Sequence, residues 1–366
     1  MRVAIVGGSL GGLFAAVLLR QAGHAVRIYE RSHSGLEGRG AGLVVQEQLS
    51  SLLRRIGLSH AMQVGVMANE RIFLDRAGMI VARRTMPQMQ ISWDYLYRGV
   101  RARLEDGDYA VGRPVVAVGQ AADMAWLEFS DGSRVSADLV IGADGIGSIV
   151  RPAVIEADTA PRYAGYVAWR GLIPETTLPQ AAAATLLDRF AFYTIPRSQA
   201  LGYLVPGPDG ETDPGRRRYN WVWYRRAEDL ASVLTDRDGR THPYSLSRGH
   251  ISDAARAALV AAGRQQLPTQ FLEAMLAEPM PFIQAIFDFE TPRMVRGRLL
   301  LLGDAAFVVR PHTAMGVAKA AGDALALVDA LAGAPLDQAL IRYERKRLVA
   351  GHAIAAYGRR LGASMG

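Results

Sequence analysis

The first thirty residues constrain the fold most, because two short apolar runs flank a helical pattern there. Residues 2–6 (RVAIV) and 26–29 (VRIY) are runs of β type, and Glu30 ends the second one. A glycine-rich turn at residues 7–12 precedes the helical pattern. Glycine lets the backbone approach a pyrophosphate, a helix N-terminus offers free N–H groups, and an acid accepts from a ribose hydroxyl. We therefore predict that this unit binds a dinucleotide.

The turn departs from the usual G-x-G-x-x-G pattern, because Ser9 stands where the second glycine is common. Arg31, next to the acid, is a candidate for meeting a phosphate, with a plain surface arginine as the more common alternative. The pattern does not separate NAD from FAD, so an NAD-dependent dehydrogenase stays open at this point. The candidate cofactor-binding residues of the unit are Gly7, Ser9, Leu10, Gly12, Glu30 and Arg31.

Composition excludes several classes of protein. The chain has no cysteine, so disulfides, thiolate zinc sites and cysteine nucleophiles are ruled out. Its seven histidines show no metal-binding spacing, and we predict no metal. The net charge is +7, but no basic helix or aromatic-basic array accompanies it, so we predict no nucleic-acid partner.

No membrane segment is predicted either. The most apolar stretch, LLLLGDAAFVV, falls short of the ~18 residues that a membrane span needs, and it contains Asp304. The N-terminal unit is a strand and turn rather than a signal peptide. We therefore expect a cytoplasmic protein that does not bind membranes.

The predicted fold is α/β, or α+β over the whole chain. Residues 156–284 are rich in aromatic, strand-like runs such as GYVAWRGLI and YNWVWYR. We expect them to form an antiparallel-sheet substrate domain that interrupts a Rossmann-like nucleotide domain, with helices at the C-terminal end. The predicted division gives 1–69, 96–155 and 285–366 to the nucleotide domain, and 70–95 and 156–284 to the substrate domain.

Two later motifs decide between the cofactors. ADLVIGADGIGSIVR carries Asp144-Gly145, then Ser148 and Arg151, after a buried run. RLLLLGDAAFVVRPHTAMGVAKAAGDAL carries Gly303-Asp304, then a loop and a second helix start. That helix N-terminus, near Met315 and Gly316, can stabilise negative charge on a ring placed against it.

With these three motifs in this order, nearly the whole chain resembles the single-component FAD-dependent aromatic hydroxylases of the p-hydroxybenzoate hydroxylase type. The resemblance implies an enzyme that uses NADH or NADPH and dioxygen, through a flavin C4a-hydroperoxide, to hydroxylate an electron-rich ring. It implies that Glu30 binds the adenosine ribose of FAD. Asp144 supports the flavin site, and Asp304 binds the ribityl chain or the pyrophosphate. The loop residues implied to contact FAD are Ala314, Met315 and Gly316.

In the residues that fill its motifs, the chain most resembles the members of this family that hydroxylate hydroxypyridines such as 2,6-dihydroxypyridine. Hydroxylation of another phenol or of a hydroxynicotinate-type ring stays open. A non-catalytic FAD-binding protein stays open too, because the chain departs from the family at some site positions. These departures include Ser9, Ala314 and Ala318.

The substrate is expected to be a small aromatic ring, with dioxygen as the second reactant, and a homodimer is left open. His312 is the candidate catalytic residue, because an unperturbed histidine exchanges protons near neutral pH. It is also a candidate substrate residue, together with Tyr193 and Tyr203, for which plain packing is an equal alternative. Arg39 is a further candidate for contacting FAD.

Overall fold

The computed structural model describes residues 1–36 and 42–365. Within them, one sheet is built on the N-terminal unit. Its strand order is β17-β18-β10-β1-β2-β6, and its pairs are parallel except at the β17–β18 edge. The strands are β1 (Arg2–Val6), β2 (Ala25–Tyr29), β6 (Tyr109–Ala110), β10 (Leu139–Gly142), β17 (Val295–Arg296) and β18 (Leu299–Leu301).

A larger sheet in the described residues has the order β15-β16-β11-β14-β13-β12-β4-β5-β3, with β19 paired to β16. The strands are β3 (Gly42–Val44), β4 (Gly65–Leu74), β5 (Ile80–Ser92), β11 (Arg162–Pro174), β12 (Arg189–Ile195), β13 (Ser198–Val205), β14 (Arg218–Arg226), β15 (Ser245–Leu246), β16 (Phe282–Glu290) and β19 (Phe307–Val308). A small antiparallel sheet contains β7 (Val115–Gln120), β8 (Ala125–Phe129) and β9 (Arg134–Ala137).

The helices pack on one another, on the parallel sheet and on the larger sheet. The contacts of α1 with α9, of α9 with α10 and of α2 with α9 join distant parts of the chain. The helices are α1 (Leu10–Gln21), α2 (Glu47–Arg55), α3 (Trp93–Arg101), α4 (Arg151–Val154), α5 (Gln180–Leu186), α6 (Leu230–Val233), α7 (Asp253–Gln266), α8 (Thr269–Leu276), α9 (Gly316–Leu331) and α10 (Leu336–Leu361).

The predicted fold class is confirmed, and one detail of it needs correction. The larger sheet is not wholly antiparallel, because β12 pairs in parallel with β4. The predicted boundaries at 69/70 and 284/285 fall inside β4 and β16, since both strands continue the larger sheet across them. The division into two domains stays a prediction.

No helix among the described residues is long and apolar enough to cross a bilayer. In the same residues, no group of three or more acidic or histidine side chains could hold a metal ion.

Candidate active site

The turn between β1 and α1 is built around close backbone approaches. Gly7 has a φ of +101°, and a Cβ there would lie 2.4 Å from the carbonyl oxygen of Ala143. A Cβ on Gly12 would lie 2.0 Å from the carbonyl oxygen of Gly7. Both positions therefore require glycine. Ser9 stands at the N-cap position of α1 with extended backbone and is exposed.

The acid that ends the N-terminal unit faces this turn. Glu30 is buried, with 5% of its surface exposed. Its Oε2 accepts from the backbone N–H of Gly8 at 2.9 Å, and its Oε1 accepts from that of Ser32 at 2.8 Å. A carboxylate has about four lone-pair positions, so each oxygen can still accept from a hydroxyl.

The segment after β10 is held by its own side chains. Asp144 Oδ1 accepts from the Ser148 hydroxyl at 2.6 Å, and Oδ2 accepts from the N–H of Ile149 at 2.7 Å. Burial raises the pKa of Asp144, and these donors act against the rise. Arg151 is buried and donates to the carbonyl oxygens of Ala305 and Asp304 at 2.8 and 2.9 Å. This arginine therefore ties the DG segment to the GD segment.

Asp304 projects from the GD segment with 52% of its side chain exposed. The Lys319 ammonium, on α9, lies 3.3 Å from Asp304 Oδ1 and donates to the carbonyl oxygen of Phe307 at 2.7 Å. The Lys319 side chain is 1% exposed, so the pair joins a buried cation to a carboxylate at the surface of the site. This contact fixes where the acid points.

The loop before α9 turns sharply at Ala314, whose φ is +52°. Gln46 donates to the carbonyl oxygen of Ala314 at 3.1 Å, and Met315 N donates to the Thr313 hydroxyl at 3.1 Å. Gly316 then begins α9, and a Cβ there would meet no atom within 4 Å. The helix N-terminus therefore opens onto free space.

These segments share one continuous cavity of about 1080 Å³. One end is formed by the turn after β1, the acids and the loop before α9. The other end is formed by a face of the larger sheet. The residues of that face lining the cavity include Arg71, Arg170, Phe190, Phe192, Gln199, Leu201, Tyr203, Val222, Tyr224 and Gln284.

His312 lies where the two ends meet. Its Nε2 is 2.8 Å from the Tyr166 hydroxyl, and its ring centroid is 4.4 Å from that of Tyr224. Burial, with a smaller effect of Arg310, lowers the pKa of His312 to about 4. The sequence predicted an unperturbed histidine, and this prediction is wrong because the imidazole is desolvated by burial. His312 is therefore neutral near pH 7.

Comparison with known proteins agrees with this architecture. Two protein-family models match the chain: "FAD binding domain-like" matches residues 163–288, and "FAD binding domain" matches residues 264–356. The chain is 32% identical to 2,6-dihydroxypyridine 3-monooxygenase of Paenarthrobacter nicotinovorans, over 96% of this chain and 88% of the relative. It belongs to the FAD-dependent aromatic monooxygenases.

Solved structures of this monooxygenase family show the same fold. That of 2,6-dihydroxypyridine-3-hydroxylase from Arthrobacter nicotinovorans has a TM-score of 0.92 at 31% identity, covering 100% of this chain and 92% of that one. Klebsiella pneumoniae HpxO, solved with FAD and uric acid, has a TM-score of 0.80 at 25% identity, with coverages of 100% and 89%.

The residues present fit the FAD of the family. The cavity reaches Ser9, the exposed N-cap residue of α1, and the open space at Gly316 of α9, so both helix ends can face negative charge. Glu30 retains acceptor positions for a ribose, and Asp304 is exposed to the cavity. Backbone groups and acids thus stand where a dinucleotide needs them.

The structure brings most of the predicted site residues to this cavity. Those lining it are Gly7, Ser9, Glu30, Arg31, Asp144, Tyr203, Asp304, His312, Ala314 and Gly316. Leu10 and Gly12 do not line it: Leu10 packs in the core, and Gly12 allows α1 to approach the turn. Met315 does not line it either, and Arg39 lies outside the described residues.

The assignment of Tyr193 to the substrate needs correction. Successive side chains of a strand face opposite sides, and on β12 Phe190 and Phe192 face the cavity. Tyr193 therefore packs in the core, with 3% of its surface exposed.

Sequence reasoning missed several side chains at the sheet end, chiefly Arg71, Arg170 and Tyr224, and missed Lys319 at the nucleotide end. Lys319 was detectable in principle, because an isolated lysine in the apolar run VAKAA falls on a buried helix face. Arg71 and Arg170 gave no such signal, since strand arginines are usually solvent-facing.

Proposed function

We propose that this enzyme hydroxylates a small electron-rich ring of the hydroxypyridine class, using FAD, dioxygen and either NADH or NADPH. The observation that carries the proposal is the continuous cavity, which joins the nucleotide motifs to an aromatic and polar sheet face. The kinship with a 2,6-dihydroxypyridine 3-monooxygenase over nearly the whole chain supports this choice of ring.

At the nucleotide end, the chain's task is to bind and orient. The turn at Gly7 and Ser9 would take the pyrophosphate, Glu30 a ribose, and Asp304 the polyol or pyrophosphate. The α9 N-terminus at Gly316 would face the flavin ring and stabilise negative charge on it. The chemistry that FAD supplies when bound is to accept a hydride from NADH or NADPH and to activate dioxygen.

At the sheet end, His312 would orient the ring rather than remove its proton. Burial raises the pKa of Tyr166 to about 12, so its hydroxyl stays protonated and can donate to Nε2 of the neutral imidazole. A neutral imidazole with Nε2 accepting carries its proton on Nδ1. That N–H would donate to a ring oxygen. A group with a pKa of about 4 is a poor general base at neutral pH.

A panel of rings tests the proposal. The purified yellow protein would be given NADH or NADPH in air with 2,6-dihydroxypyridine, 6-hydroxynicotinate or 4-hydroxybenzoate. We expect the dihydroxypyridine to gain the mass of one oxygen fastest. Faster turnover of a hydroxynicotinate or a phenol would move the assignment to that ring. Flavin reduction without any hydroxylated ring would favour a non-catalytic FAD-binding protein.

The same proposal includes a cytoplasmic location and leaves a homodimer as a prediction. Dependence on NADH or NADPH, which cells hold internally, supports the location, and cell fractionation tests it. Light scattering on the purified holoenzyme would measure the oligomeric state.

A further inference from the structure

Two arginines on the sheet face of the cavity, Arg71 and Arg170, have no carboxylate partner among the described residues. Arg170, on β11, donates to Gln284 Oε1 at 3.1 Å, and its guanidinium lies 5.7 Å from the Phe282 ring centroid. Arg71, on β4, donates to Gln88 Oε1 at 2.6 Å. The Nε of each is buried and has no hydrogen-bond partner in the part of the chain that the structure describes.

Two other arginines that line the cavity have carboxylate partners. Arg310 pairs with Asp288 at 2.7 Å, and Arg113 pairs with Asp131 at 2.6 Å. The acids lining the cavity within the described residues all belong to the nucleotide end; they are Glu30, Asp144 and Asp304. The sheet end therefore carries positive charge that no lining acid offsets. Arg71 and Arg170 are half-buried, and a partly desolvated guanidinium is stabilised when an anion pairs with it.

Arg170 is the better placed of the two to meet a ring. Arg170 lines the cavity together with Tyr203 and Tyr224. Burial raises the pKa of both tyrosines, and the Arg170 charge opposes that rise in each. Tyr224 in turn packs against His312 at the centre of the cavity. A ring held between His312 and the sheet would thus lie within the field of Arg170.

We infer that Arg170, assisted by Arg71, makes the site specific for a ring that carries an oxyanion. This inference rests on the proposed function and narrows its substrate. The oxyanion is either a deprotonated ring hydroxyl or a ring carboxylate, and both accept from the free Nε and its neighbouring N–H groups. A ring bound as its hydroxyl anion needs no base, which agrees with a neutral His312.

Binding of three probes to the oxidised holoenzyme tests the inference, with the flavin absorption spectrum as the readout. The probes are 2,6-dihydroxypyridine with ionisable hydroxyls, nicotinate with a carboxylate alone, and 2,6-dimethoxypyridine without either. The variants are Arg170→Gln, Arg170→Lys and the control Arg162→Gln. Arg162 lies on the same strand, is exposed and does not line the cavity.

We expect the wild type to bind an anionic probe and to discriminate against the dimethoxy ring. Arg170→Gln should weaken binding of that anionic probe about 10- to 100-fold, as expected for a hydrogen bond to a charged group. Arg170→Lys should restore part of the loss, and Arg162→Gln should bind like the wild type. Preference for dihydroxypyridine over nicotinate would identify the ring hydroxyl anion, and the reverse would identify the carboxylate.

The inference is overturned if Arg170→Gln and Arg170→Lys both bind the probes as the wild type does, or if the wild type binds the dimethoxy ring equally well. If Arg170→Gln fails to fold, two measurements still test the inference. They are the preference of the wild type for an anionic probe over the dimethoxy ring, and the affinity of Arg170→Lys for that anionic probe. Failure of the proposed function gives a different result, because the wild type would then lack FAD or bind none of the rings. The inference would then be rejected together with the proposed function.

Discussion

The two ends of the cavity are built from different parts of the polypeptide. The nucleotide end consists of backbone turns and acids anchored by backbone N–H groups, as at Gly7 and Glu30. The sheet end consists of side chains such as Arg170 and Tyr224, which project from strands of one sheet. A backbone site fixes which class of cofactor is bound, because every adenine dinucleotide offers a pyrophosphate and an adenosine ribose. A side-chain site can change its ligand without changing the fold.

The largest effect on stability and FAD binding should come from a substitution that disrupts the backbone turn at the nucleotide end. In Gly12→Ala the new Cβ would meet the carbonyl oxygen of Gly7 at 2.0 Å, so α1 must move away from the turn. We expect the free energy of unfolding to fall by about 3 kcal/mol and FAD to be lost with it. The matched control is Gly107→Ala, where a Cβ meets no atom within 4 Å. For each variant, denaturant titration measures the free energy of unfolding, and the flavin content of the purified protein measures the loss of FAD. Wild-type stability in Gly12→Ala would contradict the close approach.

The second effect concerns His312, where the two ends meet. Its pKa is lowered to about 4 in the folded protein, while the unfolded chain has the ordinary value of ~6.5. Between these values the unfolded chain binds more protons, so His312 reduces stability as the pH falls. The reduction reaches at most ~3 kcal/mol below pH 4 and is absent above pH 7.

Apo His312→Gln should lack this contribution. Subtracting its free energy of unfolding from that of the wild type should give a difference that declines from pH 7 to pH 4. Denaturant titrations across this range measure the difference. A constant difference would show that the imidazole is not desolvated.

The nucleotide end was predictable from sequence and the sheet end was not, for a physical reason. Gly7, Glu30, Asp144 and Asp304 each follow a strand at a fixed local spacing, so their positions at one sheet edge follow from the pattern. The sheet end depends on register between distant strands. Tyr193 and Tyr203 both fell in aromatic strand runs, and pairing decided that Tyr203 faces the cavity while Tyr193 faces the core.

A smaller effect is expected from the acid of the nucleotide end. Glu30→Gln replaces the carboxylate that would accept a hydrogen bond from the ribose with a neutral amide. The dissociation constant for FAD should therefore rise about 10- to 100-fold. Glu228→Gln is the control, since that side chain is 80% exposed. Titration of apoprotein with FAD, followed by flavin fluorescence, gives both constants. An unchanged dissociation constant for FAD in Glu30→Gln would show that Glu30 does not bind the ribose.

The smallest effect should come from Lys319, which acts on FAD through Asp304. Lys319→Met removes the cation 3.3 Å from Asp304 Oδ1 and leaves the Phe307 carbonyl oxygen without its donor. We expect FAD affinity to fall by about 3- to 10-fold, the value of an ordinary hydrogen bond, because Lys319 acts only through Asp304. The control Lys346→Met alters an exposed lysine. Equal FAD affinity in both variants would show that Lys319 does not position Asp304.

The measurement that tests the central claim most directly is the origin of the oxygen added to the ring. The holoenzyme would be given NADH or NADPH, 2,6-dihydroxypyridine and isotopically labelled dioxygen. If the cavity holds FAD at its backbone end and the ring at its sheet end, the product carries one labelled oxygen atom. Consumption of the reductant that yields peroxide alone, with the ring unchanged for every substrate of the panel, would contradict the claim.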